Sequence, residues 1–314
     1  GSGEIEWRKD GTSYLYYDGG QIVQNNLTNN SKSIVVSGTQ LTPKGSNQPI
    51  VVKSYAFSSD GNKVLVFTNA KKVWRLATRG DYWLLDLKTN TLSQIGKERP
   101  ASSLMFAKIS PDGKKVAYVS EYNLYVDDIA SGTTKQLTFD GNRKFINGTF
   151  DWVYEEEFSF SQAYQWSPAG SYIAYYKFDE TDVKEYNMTI YDDKYNKDYR
   201  YKYPKAGDSN STVSIHIYDV KTGNTVPAQY EQGDIYIPRI KWTNDNDLLS
   251  VQTLNRHQNN LNLIFVNATS NKAYVVVNET DEAYVDITNN LTFLEDNSFI
   301  WTSEKDGWNH IYLY

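Results

Sequence analysis

Cysteine is absent from the 314 residues, and histidine occurs only three times. Without cysteine there is no disulfide framework, no thiolate nucleophile and no Cys-type zinc site, so the residues say nothing of redox compartment. No run approaches the roughly 18 apolar residues that a membrane-spanning helix needs, and no secretory signal opens the chain. The opening Gly1-Ser2-Gly3 has the character of an expression remnant, leaving room for a targeting segment removed ahead of it. Excess positive charge is missing too: the formal net charge is −6 with no basic stripe, so a phosphate backbone is repelled and nucleic acid is a poor partner. Absent as well are a G-x-S-x-G nucleophile elbow, a P-loop, a G-x-G-x-x-G turn and an H-E-x-x-H helix. Most enzyme classes go with them.

Aromatic residues are abundant. With 26 Tyr, 8 Trp and 39% hydrophobic residues, the composition favours strands over helices and argues against disorder. The length suits one large all-β domain or two ordinary ones.

One unit recurs along the chain. It is clearest in "SPDGKKVAYVSEYNLYVDDIASG" (110–132): an Asp-Gly turn, an alternating strand, a short break, a second strand, another turn. Related copies start near residues 8, 58 and 167, with looser ones near 243 and 294. Asp-Gly and Gly-Asn corners flanked by alternating apolar residues are strong hairpin signals. The spacing of roughly 50 residues suits four-stranded propeller blades. The fold class read here is therefore an all-β propeller of about six blades spanning residues 4–314. The last copy stops one strand after its turn, and an open array leaves an unpaired edge, so the natural chain is expected to continue past Tyr314. Residues 178–203, charged and Tyr-rich, interrupt the period as an elaborated hairpin, either a solvated insertion or a docking element.

The three histidines carry little chemistry. His216 alternates with Ile215 and Ile217 and points away from the face those two bury. His257 and His310 have no adjacent acid or nucleophile in sequence. Several Asn-x-Ser/Thr sequons, such as Asn187-Met188-Thr189, fit chance in a chain this rich in Asn and Thr. Nothing calls for a metal or a cofactor.

"DWVYEEEF" (151–158) is the exception, because it packs Glu155, Glu156 and Glu157 among aromatic residues. In a strand, Glu155 and Glu157 would share a face; in a helical turn, two adjacent carboxylates can lean toward one point. Glu favours helix and the stretch lacks blade grammar, so a short helix projecting from the sheets is expected. Such a cluster is a solvated acidic patch, a glycosidase pair or a cation site. Glycosidases need carboxylates at least about 5 Å apart in unlike environments, which adjacent residues seldom provide. A primary ammonium offers three donors, and each hydrogen bond to a charged group contributes about 1.5–3 kcal/mol. A free N-terminus is thus distinguishable from an amide.

"NGTFDWVYEEEF" (147–158) resembles the glutamate motif of the dipeptidyl peptidase IV family, within the prolyl oligopeptidase superfamily of serine peptidases. Further similarity follows in "VWR" (73–75), "SPDGKKVAYV" (110–119), "WSPAGSYIAYYKFDETDV" (166–183) and "YPKAG" (203–207). The resemblance implies an eight-bladed propeller covering an α/β-hydrolase domain. It implies that Glu156 and Glu157 clamp the α-ammonium of a peptide with penultimate Pro or Ala, so that dipeptides are released. Arg75 is implied to bind substrate carbonyl groups and to help hold the acidic pair. Glu155, Trp152 and Tyr154 are implied as support, the last two by packing under the helix. The hydrolase, with its catalytic Ser, Asp and His, lies outside these residues, so this chain alone is expected to be inactive. Family analogy also implies a homodimer for the complete protein. The missing propeller disulfides tilt the source toward a bacterium, with a periplasmic or secreted protein. A stand-alone propeller binding an amine ligand or a protein partner is the alternative, favoured by a reading frame that ends near Tyr314.

Overall fold

The recurring seed turns share one hydrogen-bond device. In "SSDG" the Ser58 hydroxyl donates to Asp60 Oδ1 at 2.6 Å and accepts from the Lys63 N–H at 2.9 Å. In "SPDG" Ser110 donates to Asp112 at 2.6 Å and accepts from Lys115 N–H at 2.9 Å. The turn glycines Gly61 and Gly113 have φ of 72° and 70°, where other residues are disfavoured. Each device thus starts a strand in fixed register. At residues 167–170 Ala169 replaces the aspartate, and Ser167 donates instead to Asn246 Oδ1 at 2.8 Å, in the next copy of the turn. That exchange links two neighbouring seeds.

The computed structural model describes residues 5–74, 76–160, 163–191, 194–230 and 233–314. They form two compact units, one holding the chain up to Ser120 with Val126–Thr134, the other Glu121–Tyr125 with Lys135–Tyr314. The first unit opens with a four-stranded antiparallel sheet: Glu6–Trp7, Ser13–Asp18, Gln21–Asn26 and Ser31–Val36. A second meander follows, of Ser54–Phe57, Lys63–Lys71, Arg79–Asp86 and Thr91–Ile95. Arg79 and Gly80 also pair with Met105 and Leu104 of the following strand, Leu104–Ile109, so two meanders run into one sheet. Leu15, Ile22 and Val36 of the first sheet, Leu41, Ile50 and Val52 of the segment after it, and Val64, Val66 and Leu85 of the second meander form one buried apolar cluster.

Among the described residues of the second unit, three larger sheets and one two-stranded hairpin are found. The first centres on Tyr172–Asp179, paired along its length with Thr212–Asp219. The next is the four-stranded meander Ile235–Trp242, Leu248–Asn255, Asn260–Asn267 and Ala273–Thr280. The last has three strands, Thr292–Phe293, Phe299–Ser303 and His310–Leu313. Central strands differ from the expected alternation: in Tyr172–Asp179, Ile173, Ala174, Tyr175 and Tyr176 are all buried. Both faces of that strand are covered, which favours continuous apolar runs over half-polar ones. The interruption at 178–203 contains a separate hairpin, Glu185–Ile190 with Lys197–Lys202, whose Tyr186, Tyr199 and Tyr201 are ring neighbours. Among the described residues no helix is long and apolar enough to cross a membrane.

Candidate functional site

The glutamates sit where an edge strand is cut in two. Phe145–Asn147 pairs with residues 177–179 of the central strand, and Tyr164–Trp166 pairs with residues 173–175. Only Tyr176 lies between these two registers, and its backbone pins both ends of the excursion. Its carbonyl accepts from Gly148 N–H at 2.9 Å, and its N–H donates to the Ala163 carbonyl at 2.9 Å. The described residues between Gly148 and Ala163 therefore lie on an excursion that leaves and re-enters the sheet at one point. Within them runs the one helix among the described residues, α1, Trp152–Glu157.

Six residues are too few for a helix to hold itself in water. Tertiary anchors supply what length does not. Asp151 caps α1, its carboxylate accepting from Tyr154 N–H at 3.0 Å and from the Ser211 hydroxyl at 2.5 Å. At the other end, Ser159 turns the chain with φ of 48°, and Phe160 N–H donates to the Tyr154 carbonyl at 3.0 Å. The Tyr154 ring is fully buried against Phe158, Phe160 and Phe178, the last at 4.8 Å between centroids. Its hydroxyl accepts from Ile237 N–H at 2.9 Å, while the Tyr176 hydroxyl donates to the Ile237 carbonyl at 2.9 Å. Two buried phenols thus bracket one residue of the next sheet, Ile237. Trp152, half-buried, packs on Tyr203 at 4.3 Å between ring centroids.

This anchoring grades the exposure of the acidic triplet. Glu155 is buried, Glu156 half-buried and Glu157 exposed. Trp152 and Tyr154 pack as the residue pattern suggests. Arg75 lies outside the described residues. Of the histidines, His216 is stacked on Tyr175 at 5.5 Å and lies 3.1 Å from the Ser214 hydroxyl. Burial holds its pKa down at about 4, so it stays neutral at physiological pH. His310 meets Asp306 at 2.9 Å, one helical-turn spacing away in sequence rather than adjacent to it.

Sequence reasoning missed two buried acids, the helix cap Asp151 and Glu180, which feels its charge. Asp151 is buried, and desolvation raises its pKa despite the bonds from Ser211 and Tyr154. Glu180 is buried as well; desolvation, then the Asp151 charge, pushes it up to about 8. The cap role of Asp151 was readable from an Asp just ahead of a helix-favouring run. Its bond to Ser211, 60 residues on, was not. Among the described residues no group of three or more His, Asp or Glu side chains could hold a metal ion.

Comparison with known proteins adds a family to this geometry. Residues 58–314 match the model described as the dipeptidyl peptidase IV (DPP IV) N-terminal region. Dipeptidyl peptidase 4 of Trichophyton tonsurans is 30% identical across 95% of this chain and 39% of its own length. Dipeptidyl aminopeptidase B of Saccharomyces cerevisiae is 29% identical across 94% of this chain and 37% of its own. The crystal structure of Porphyromonas gingivalis dipeptidyl peptidase 4 superposes on the whole chain with a TM-score of 0.91 at 34% identity, covering 45% of that structure. This chain therefore spans about two-fifths of the length of the curated relatives it matches.

Proposed function

The chain belongs to the dipeptidyl peptidase IV family, through its N-terminal propeller region, and on that premise we propose that its acidic helix receives the free N-terminus of a peptide. Glu156 and Glu157 are the acceptors. Each carboxylate takes one N–H of the α-ammonium, which carries three donors and no acceptor. The observation that carries this reading is the graded exposure of α1: Glu155 faces inward, whereas Glu156 and Glu157 reach solvent on a helix clamped at both ends. Such a clamp costs little reorganisation when the cation arrives, because the backbone beneath it is already fixed. An amide or acylated N-terminus has lost the charge and two donors, and so is rejected.

The parent protein is read as a serine-type dipeptidyl peptidase releasing dipeptides after penultimate Pro or Ala, with catalysis supplied by an α/β-hydrolase domain. The propeller supplies recognition and access. We place the protein outside the cytoplasm, in a bacterial periplasm or secreted, by analogy with the family.

The test uses the complete protein and a Gly-Pro chromogenic substrate. Glu156→Gln with Glu157→Gln removes two charge-assisted bonds, about 3–6 kcal/mol together, so kcat/KM should fall by roughly 10²–10⁴. Full activity in that double variant would remove the assigned role.

A further inference from the structure

We propose that the cleft beside the acidic helix is a carboxylate subsite, built by Arg239 and Lys241, for an acidic group near the peptide's N-terminus; this rests on the ammonium reading above. The cleft has a volume of about 410 Å³, and its wall includes Ser159, Phe160, Gln165, Arg239, Lys241 and Asn289. Arg239 and Lys241 lie two apart on the strand Ile235–Trp242, so both project from the same face. The intervening Ile240, which also lines the cleft, and the flanking Trp242 are buried.

Among the described residues the hydrogen-bond partners of both cations are neutral. Arg239 Nε donates to Asn289 Oδ1 at 2.7 Å and its Nη1 to the Pro238 carbonyl at 2.6 Å. Lys241 Nζ donates to the Leu291 carbonyl at 2.6 Å. Among the described residues neither makes an ion pair, and desolvation lowers the pKa of each with no carboxylate to offset it. Two partly desolvated positive charges facing one polar cleft, already oriented by backbone and amide acceptors, attract an anion that can accept from both. A carboxylate does so with two oxygens, and Arg239 still has unused donors.

Placement ties the cleft to the helix. Ser159, in its wall, follows Glu157 by two residues, so their Cα atoms are at most about 7.6 Å apart. One short peptide can therefore reach both charges, its ammonium on the acidic pair and its carboxylate on the basic pair.

The test titrates the purified 314-residue chain with four probes: Glu-Pro-Gly-amide, Gln-Pro-Gly-amide, Gln-Pro-Gly with a free C-terminus, and N-acetyl-Glu-Pro-Gly-amide. The reporter is the indole N–H resonance of Trp242, which donates to the carbonyl of Gln165 in the cleft wall at 3.2 Å. Glu-Pro-Gly-amide should bind about 10-fold more tightly than its Gln counterpart at low salt, and Arg239→Gln with Lys241→Gln should bring that ratio to about 1. In the unmodified chain the preference should shrink as salt rises from about 0.02 to about 0.5 M, a readout that needs no variant to fold. If only the side-chain carboxylate gains affinity, the first residue is the source; if the free C-terminus gains it too, any nearby carboxylate serves. Equal affinities for the Glu and Gln probes, a preference that salt leaves intact, or one that survives in the double variant would overturn the subsite. The acetylated probe separates the two readings: its affinity should depend on Arg239 and Lys241 whether or not Glu156 and Glu157 bind ammonium.

Discussion

At the scale of single residues, the acids around the helix divide into those that face solvent and those that are buried. Glu180 shows what the second group does to stability. Its pKa rises from an ordinary 4.5 to about 8, desolvation first and Asp151 second, so between those values the folded chain holds a proton that the unfolded chain has released. The contribution of Glu180 to stability must then fall as pH rises through that window, by up to about one proton's slope. Buried His216, neutral in the folded chain, contributes the opposite slope below its unfolded value of 6.5, so chemical denaturation at a series of pH values between about 6.5 and 8 should show the decline, and Glu180→Gln should flatten it. A profile that rises with pH, or one that the substitution leaves unchanged, would contradict the assignment. "DWVYEEEF" was legible as an acidic helix because its residue types conflict with a strand. The Glu180 and Asp151 pair was not, because burial depends on partners 29 and 60 residues from Asp151, namely Glu180 and Ser211.

Among the elements, turn chemistry was the most readable level. The Ser-x-Asp-Gly copies predicted strand starts, and the hydroxyl bonds at Ser58 and Ser110 give the physical reason. The turn Glu121–Tyr122 was read only as a short break, for it carries neither Asn nor Gly. Both residues nonetheless have positive φ, 47° and 67°, the backbone of a type I′ hairpin. Each side chain there costs roughly 1 kcal/mol against the steric preference of L-residues. Glu121→Asn with Tyr122→Gly should raise the free energy of unfolding by about 1 kcal/mol, measured by denaturant titration. A loss of stability would show that packing of the Tyr122 ring outweighs its backbone. The split edge strand was illegible for a different reason. Two three-residue segments, Phe145–Asn147 and Tyr164–Trp166, are too short to carry a period, and only their shared partner strand reveals them as one edge.

For the whole chain, the repeat predicted about six units, and among the described residues six antiparallel meanders follow one another, the last with three strands. The family and its propeller are shown by the match over residues 58–314 and by the superposition on the Porphyromonas gingivalis enzyme. What repetition could not disclose is the run-together of two meanders through Arg79 and Gly80, since pairing between repeats leaves no period of its own. The central claim is that Glu156 and Glu157 recognise a charged N-terminus, and it is tested most directly by selectivity rather than by activity alone. In the complete protein, the measurement is the ratio of kcat/KM for Ala-Pro-p-nitroanilide over its N-acetyl counterpart, before and after Glu156→Gln with Glu157→Gln. The account predicts a ratio of at least about 10² that collapses toward 1 in the double variant. A ratio that the substitutions leave intact would contradict it.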